Sequence, residues 1–254
     1  MIDTHCHVDF EEYDKDRDEV INRAKQVLDY VIDSGTNPVS NKKVVELSKK
    51  YSNFLYPTYG YYPVASEKRS KEEVNAAYDY IINHLDDYLA IGEVGMDYFF
   101  VKDKVLREKQ KKVFTGFVEI ANKYEKPLLI HARNCDKKAL NIVNDYENIP
   151  YVIFHCFSGS LKTAKRIMQH DNYFMSFSTM VCYSKHHQEL IKHIPVEHIV
   201  TETDSPYLAL TKEERNEPAF VVRGVKKICE IKNVPYDYVD EITTYNAKKV
   251  FGLK

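Results

Sequence analysis

Short apolar runs alternate along the chain with longer stretches in which apolar residues recur every three or four positions. The runs are rich in β-branched and aromatic side chains and predict buried strands; the longer recurrence predicts amphipathic helix. Eight strands are expected: Ile2 to Val8, Leu28 to Ser34, Phe54 to Tyr61, Leu89 to Met96, Pro127 to Ala132, Tyr151 to Phe157, Tyr173 to Ser178 and Ile199 to Asp204. Helix starts are marked between them. Asn37 precedes Pro38 at a first helical turn, and Ser70 stands three residues ahead of Glu73 as a capping box. The stretch from Lys102 to Lys123 places Leu106, Val113, Phe117 and Ile120 along one apolar stripe. Two further helices, Asn216 to Ile231 and Tyr236 to Phe251, follow the last strand.

Strands that alternate with helices in this way form a parallel sheet. Eight of them predict a single-domain (β/α)8 barrel of the TIM type, with the C-terminal helices closing the wall. An open, doubly wound sheet is the alternative with the same alternation. No Pro-, Gly- or Ser-rich linker divides the chain, so residues 1–254 are expected to be one barrel domain.

Composition narrows the class of partner. Lys and Arg total 36 against 38 Asp and Glu, a balance without the basic surface that coats a nucleic-acid duplex nonspecifically. A few local Arg residues beside a metal centre would still hold one phosphate. The five cysteines are scattered and form no CxxC pair, which suits a reducing compartment rather than a disulfide framework. There is no signal-peptide pattern at Met1 and no apolar run near twenty residues, so a cytoplasmic location without a membrane partner is expected. No obligate protein partner is evident.

His5 and His7 stand two apart in the first strand, where alternation would turn both imidazoles to one face. Glu93, His131, His155 and Asp204 each fall at the end of a different later strand. In a parallel barrel those ends converge on the C-terminal mouth, where barrel enzymes place their chemistry. Each residue alone has a bland reading, as a loop cap or a buried ion-pair partner. Four imidazoles and two carboxylates gathered in one volume would be costly without a cation, and a divalent metal relieves the cost. Asp204 is the best general-base candidate among them.

The motifs DTHCH at 3–7, GEVGMDY at 92–98, PLLIHAR at 127–133, HCFSGS at 155–160, ETDSPYL at 202–208 and RNEP at 215–218 resemble, in order, those of the TatD-like DNases of the metal-dependent amidohydrolase superfamily. The resemblance runs from Met1 to Gly252. It implies two divalent ions, with His5, His7 and Asp204 on one, His131 and His155 on the other, and Glu93 between them. It also implies Mg²⁺, although imidazole-rich sites take Mn²⁺ or Zn²⁺ well. Two ions a few ångströms apart serve phosphodiester hydrolysis by an activated water, without a protein nucleophile.

Around this set, Glu202 is expected to orient a ligand from behind. Arg133, two after His131, should hold a phosphate bidentately, and Arg215 of RNEP is a second phosphate candidate by the resemblance. Tyr62 departs from the pattern, standing in GYYP where the family commonly has a pocket histidine; it can stack or hydrogen-bond but cannot act as an imidazolium acid. Cys6 and Cys156 should point away from the metal face and pack. His84, His170, His186, His187, His193 and His198 are expected to be surface or structural residues, and Tyr98, Tyr183 and Tyr207 carry no assigned role.

The leading reading is a metal-dependent deoxyribonuclease acting on single strands or frayed ends, since a barrel mouth is too concave for intact duplex. An esterase or amidohydrolase acting on aminoacyl-tRNA or a lactone keeps the same site. A noncatalytic metal-binding barrel is the third reading.

Overall fold

The computed structural model describes residues 1–66 and 68–254. In chain order it runs β1 (Ile2–Cys6), α1 (Arg17–Ala24), β2 (Tyr30–Ser34), α2 (Pro38–Lys50), β3 (Leu55–Tyr61), α3 (Pro63–Ser66), α4 (Lys71–Ile82), β4 (Ala90–Asp97), α5 (Lys104–Lys123), β5 (Leu128–Arg133), α6 (Asp136–Val143), β6 (Val152–His155), α7 (Leu161–Ile167), β7 (Tyr173–Phe177), α8 (Lys185–His193), β8 (Ile199–Thr201), α9 (Val221–Lys232) and α10 (Tyr236–Phe251). All eight strands lie side by side in sequence order and pair in parallel, which is the barrel and not the doubly wound sheet. No helix among the described residues is long and apolar enough to cross a membrane.

The predicted caps form as the sequence requires. The Asn37 side chain accepts from the amides of Val39 and Ser40 at 2.9 and 3.2 Å. Ser70 and Glu73 complete the reciprocal box at 3.1 and 2.8 Å. Helix α9 begins later than expected because Asn216 is a buried anchor rather than a helix start. Its side-chain amide donates to the carbonyls of Thr203 and Tyr207 at 3.0 and 2.7 Å, and a short 3₁₀ turn, Pro218–Phe220, intervenes.

Inside the barrel, Ile2, Ile32, Ala90, Leu129, Ile153, Phe174 and Val200 form an apolar layer, plugged from below by Val250 and Phe251 of α10. Two residues further along β5, β6, β7 and β8, the same inward face carries His131, His155, Ser176 and Glu202. The alternation breaks in β1 and β4, whose registers shift between Asp3 and Cys6 and between Ile91 and Val94. Those irregularities bring His5 and Glu93, both three residues past the apolar layer, to the mouth. Several strands are shorter than predicted. β8 ends at Thr201 because Asp204 has φ of +57°, outside strand geometry, and Cys156 at φ +44° ends β6 at His155.

The seam between β1 and β8 is closed largely by side chains and by the segment after β8. Thr4 donates to the carbonyl of Thr201 at 3.0 Å, the amide of Asp204 to the carbonyl of His5 at 3.0 Å, and the amide of His7 to that of Ser205 at 2.8 Å. Asp3 sits fully buried behind this seam. Its carboxyl accepts from the amides of His5 and Thr203 at 3.2 and 3.0 Å and from the Thr203 hydroxyl at 2.6 Å. Removing it strands three buried donors, each of which costs roughly 1 to 3 kcal/mol when left unmade. Asp3→Ala is therefore expected to destabilise the protein by about 3 kcal/mol or more in urea denaturation. A change below about 0.5 kcal/mol, the range of ordinary surface substitutions, would refute the role given to the seam.

Candidate metal centre

The six residues expected at the barrel mouth meet there. Nε2 of His5 and Nε2 of His7 lie 3.2 Å apart, and Oδ1 of Asp204 is 3.7 Å from the first and 3.6 Å from the second. Glu93 spans the centre. Its Oε1 is 3.6 Å from Nε2 of His7, while its Oε2 is 3.2 Å from Nδ1 of His131 and 3.7 Å from Nε2 of His155. Two ligand-competent groups thus share one carboxylate: His5, His7 and Glu93 on one side, Glu93, His131 and His155 on the other. His7 does not share a strand with His5 as expected, since β1 stops at Cys6; the hydrogen bond its amide donates to the Ser205 carbonyl positions it instead.

The outward nitrogen of each ring is anchored on oxygen. Nδ1 of His7 meets the Ser34 carbonyl at 2.8 Å, and Nδ1 of His5 meets the Ser34 hydroxyl at 3.1 Å. Nδ1 of His155 faces Glu202 at 3.1 Å, and Nε2 of His131 faces Oδ2 of Asp97 at 3.2 Å. A proton held on the anchored nitrogen leaves the opposite nitrogen with its lone pair aimed inward, as metal-binding imidazoles require. Glu202 is itself held by the Ser176 hydroxyl at 2.5 Å. Nδ1 of His131, although close to Glu93, makes no hydrogen bond with it and has no other hydrogen-bond partner among the described residues. A buried, converging set of imidazole nitrogens and carboxylate oxygens in which one nitrogen is left without a partner fits a cation.

Electrostatics show what stands in for that cation. Burial opposes charge on His7 and His155, but the carboxylates of Asp204, Glu93 and Glu202 outweigh it and lift the two imidazoles to about 9 and about 10. Burial likewise opposes charge on Glu93, yet the neighbouring imidazoles hold it down at about 2. His5 is pushed the other way, below its usual range, by burial and by the charges of His155 and His7. In the metal-free protein, protons on His7 and His155 offset part of the carboxylate charge.

The remaining candidates divide. A cavity of about 540 Å³ opens over the centre and is lined by His7, Glu93, His131, His155 and Asp204, with Arg133 and Tyr62 in its wall. Arg133 makes no ion pair among the described residues and lies over the Phe99 ring at 4.0 Å. Tyr62 meets the His131 ring edge-on at 5.1 Å. Arg215 stands apart from them. Its guanidinium is bound to Asp16 at 2.6 and 2.9 Å and lies over Tyr13, outside the cavity lining, because the loop before α1 supplies the partner. Cys156 leaves the strand pattern and faces Ser178, while Cys6 is buried against the Ile32 carbonyl as expected. His187, buried between the Ser158 and Ser184 hydroxyls, is structural.

Sequence reasoning missed Asp97 and Arg69. Asp97 stands four after Glu93, and its signal was the GEVGMDY motif itself, in which only the glutamate was weighed. Arg69 comes from the approach to α4, lines the cavity, and has no spacing signal relative to the other residues.

A parallel barrel whose mouth gathers imidazoles around one shared carboxylate defines the metal-dependent hydrolase class. The chain belongs to the TatD family: the profile described as TatD related DNase matches residues 2–252. It is 36% identical over 250 residues to a metal-dependent hydrolase of Methanocaldococcus jannaschii, covering 98% of this chain and 96% of that one. It is 30% identical to human deoxyribonuclease TATDN3, covering 99% and 94% of the two chains. It is 26% identical to the 3'-5' ssDNA/RNA exonuclease TatD of Pectobacterium carotovorum over the full length of both. The crystal structure of a TatD homolog from Escherichia coli superposes with a TM-score of 0.90 at 25% identity, covering 100% of this chain and 98% of the other.

Metal ligation requires neutral imidazoles, so cation binding displaces the protons on His7 and His155. Their folded-state values stand above the usual 6.5, so the stability those protons confer is complete below that pH and lost as pH rises through about 9 and about 10. Apparent metal affinity is therefore expected to rise across pH 7 to 9, by up to roughly tenfold per pH unit for each proton displaced. Calorimetry at pH 7 in buffers of different ionisation enthalpy would count those protons; a count of zero contradicts this account of the empty-handed carboxylates.

Proposed function

We propose that the chain is a deoxyribonuclease that hydrolyses phosphodiester bonds of single-stranded or frayed DNA with two divalent ions, Mg²⁺ first, with Mn²⁺ and Zn²⁺ as the alternatives an imidazole-rich site accepts. The observation that carries this reading is Glu93, whose two oxygens face two separate imidazole groups. His5, His7 and Asp204 would hold one ion, and His131 and His155 the other. When bound, such a pair neutralises phosphate charge and acidifies water near it.

The chain's own residues supply the rest. Arg133, pinned over Phe99 at one wall of the cavity, presents its guanidinium to the non-bridging oxygens of a phosphate as a planar fork. Oδ1 of Asp204 lies at the open side of the centre, where it accepts the proton of the attacking water. Asp97 and Glu202 hold His131 and His155 in one orientation, so neither ring turns when the charge of the centre changes. Phe10, Phe100 and Tyr207 rim the cavity and offer faces on which unpaired bases stack. A paired base inside a duplex could not reach them.

The relatives named deoxyribonuclease and ssDNA/RNA exonuclease support the choice of nucleic acid over a carboxylic ester. Purified protein with Mg²⁺ or Mn²⁺ is expected to degrade a single-stranded oligonucleotide. His131→Ala and Asp204→Ala should each lower kcat at least about 100-fold, and Arg133→Ala should raise KM about tenfold with a smaller effect on kcat. Gel-resolved hydrolysis measures all three. Full activity in both His131→Ala and Asp204→Ala, or faster turnover of an aminoacyl ester than of DNA, would overturn the reading.

A further inference from the structure

Beyond the centre, a second pocket of about 440 Å³ continues from the first. The two share Thr36, Asn37, Tyr62 and Arg69 as a common wall, so the second is reached directly from the first. It runs outward between the start of α2, at Pro38 and Val39, and α4, at Glu73 and Ala77. Tyr61, the last residue of β3, forms part of its lining.

Tyr61 carries the argument. The residue is 5% exposed, yet its hydroxyl makes no hydrogen bond among the described residues. A buried hydroxyl without a partner is costly, and the simple alternative, phenylalanine, would pack the same ring against Phe117 without that cost. Tyr61 lines the pocket, and Arg69 and Glu73 are the charged groups that act on its hydroxyl; burial raises its pKa, so it stays a neutral donor. Arg69 meanwhile stands at the junction of both pockets, with one guanidinium nitrogen on Glu73 at 2.9 Å. An aromatic wall, a lone neutral donor and a cation at the threshold suit a nucleobase with its phosphate, not a metal ion.

We propose that this second pocket is a subsite for the nucleotide next to the one being cleaved. The strand crosses Tyr62, its base enters the groove and accepts a hydrogen bond from the Tyr61 hydroxyl, and its phosphate passes Arg69. This rests on the nucleic-acid reading above and adds to it a requirement for at least one neighbouring, unpaired nucleotide. A base held in a duplex stack cannot turn into a groove beside the barrel.

Tyr61→Phe removes only the hydroxyl, and a thermal melt confirms that the fold is retained. Two readouts are compared between wild type and variant: fluorescence anisotropy of a labelled single-stranded hexanucleotide in EDTA, and the ratio of kcat/KM for that oligonucleotide to kcat/KM for bis(p-nitrophenyl) phosphate with Mn²⁺. The small diester is too short to reach the groove. Loss of one neutral hydrogen bond should weaken oligonucleotide binding and lower the specificity ratio by about three- to tenfold, and Arg69→Ala should do the same with a reduced salt dependence. Wild-type binding that Tyr61→Phe leaves intact, or an equal loss on both substrates, overturns the subsite and leaves a solvent-filled groove only. Binding that weakens in the variant while wild type cleaves no DNA keeps the subsite and overturns the nuclease reading instead.

Discussion

The structure depends on one electrostatic constraint: a buried carboxylate, Glu93, stands at the axis of the barrel mouth and must be neutralised there. At 3% exposure it has no water to solvate it, and the imidazoles of His7, His131 and His155 surround it at 3.2 to 3.7 Å. Everything nearby answers to that charge. The rings need outer partners to hold their orientation, and Ser34, Asp97 and Glu202 provide them from β2, β4 and the end of β8. Those partners bring further negative charge, so protonated rings can balance the cluster without metal but leave it poised to exchange protons for cations. Packing alone would never select such an arrangement, because an apolar layer like that around Leu129 and Ile153 fills a barrel at lower cost.

The constraint also explains where the barrel is irregular. Four strands deliver their polar residue by simple alternation, two positions past the apolar layer. Glu93 and His5 lie three positions past it, and the strands that carry them are those with shifted registers. Glycine makes the shift possible in β4. At Gly92 (φ +156°), inside the shifted stretch, a side chain would begin 2.4 Å from Cβ and 2.8 Å from the carbonyl oxygen of Leu129, so only glycine fits between β4 and β5 there. Two strand ends that each carry a candidate ligand are thereby drawn together.

Much of this was legible in the sequence, and the reasons differ by feature. The apolar runs were visible because a parallel strand is buried on both faces, and all eight lie where the pattern put them. The candidate ligands were visible because six metal-competent residues fell at the ends of five predicted strands, a coincidence that needs no coordinates. Strand ends were overestimated wherever backbone geometry rather than composition stops the strand, as at Cys156 and Asp204. Asp97 and Arg69 were missed for a related reason. One acts through a neighbouring side chain across the sheet, the other across a loop, and neither relation leaves a period along the chain. Arg215 lies outside the cavity lining because a motif specifies a residue but not its partner; Asp16, almost two hundred positions earlier, binds its guanidinium.

The closing seam joins these threads. β1 and β8 do not form a ladder, and the gap is spanned by Thr4, Asp3 and the residues that follow β8. Because His5, His7 and Asp204 all lie on this seam, the bonds that shut the barrel are the bonds that set the spacing of one half of the centre. The other half, on β5 and β6, rests on a regular ladder in which His131 and His155 are direct register partners. One half is thus fixed by a regular strand ladder and the other by two backbone hydrogen bonds and a handful of side chains, with Glu93 between them. A cation that draws the two halves together should therefore stiffen the seam more than the ladder, which makes closure of this barrel and assembly of its centre a single event.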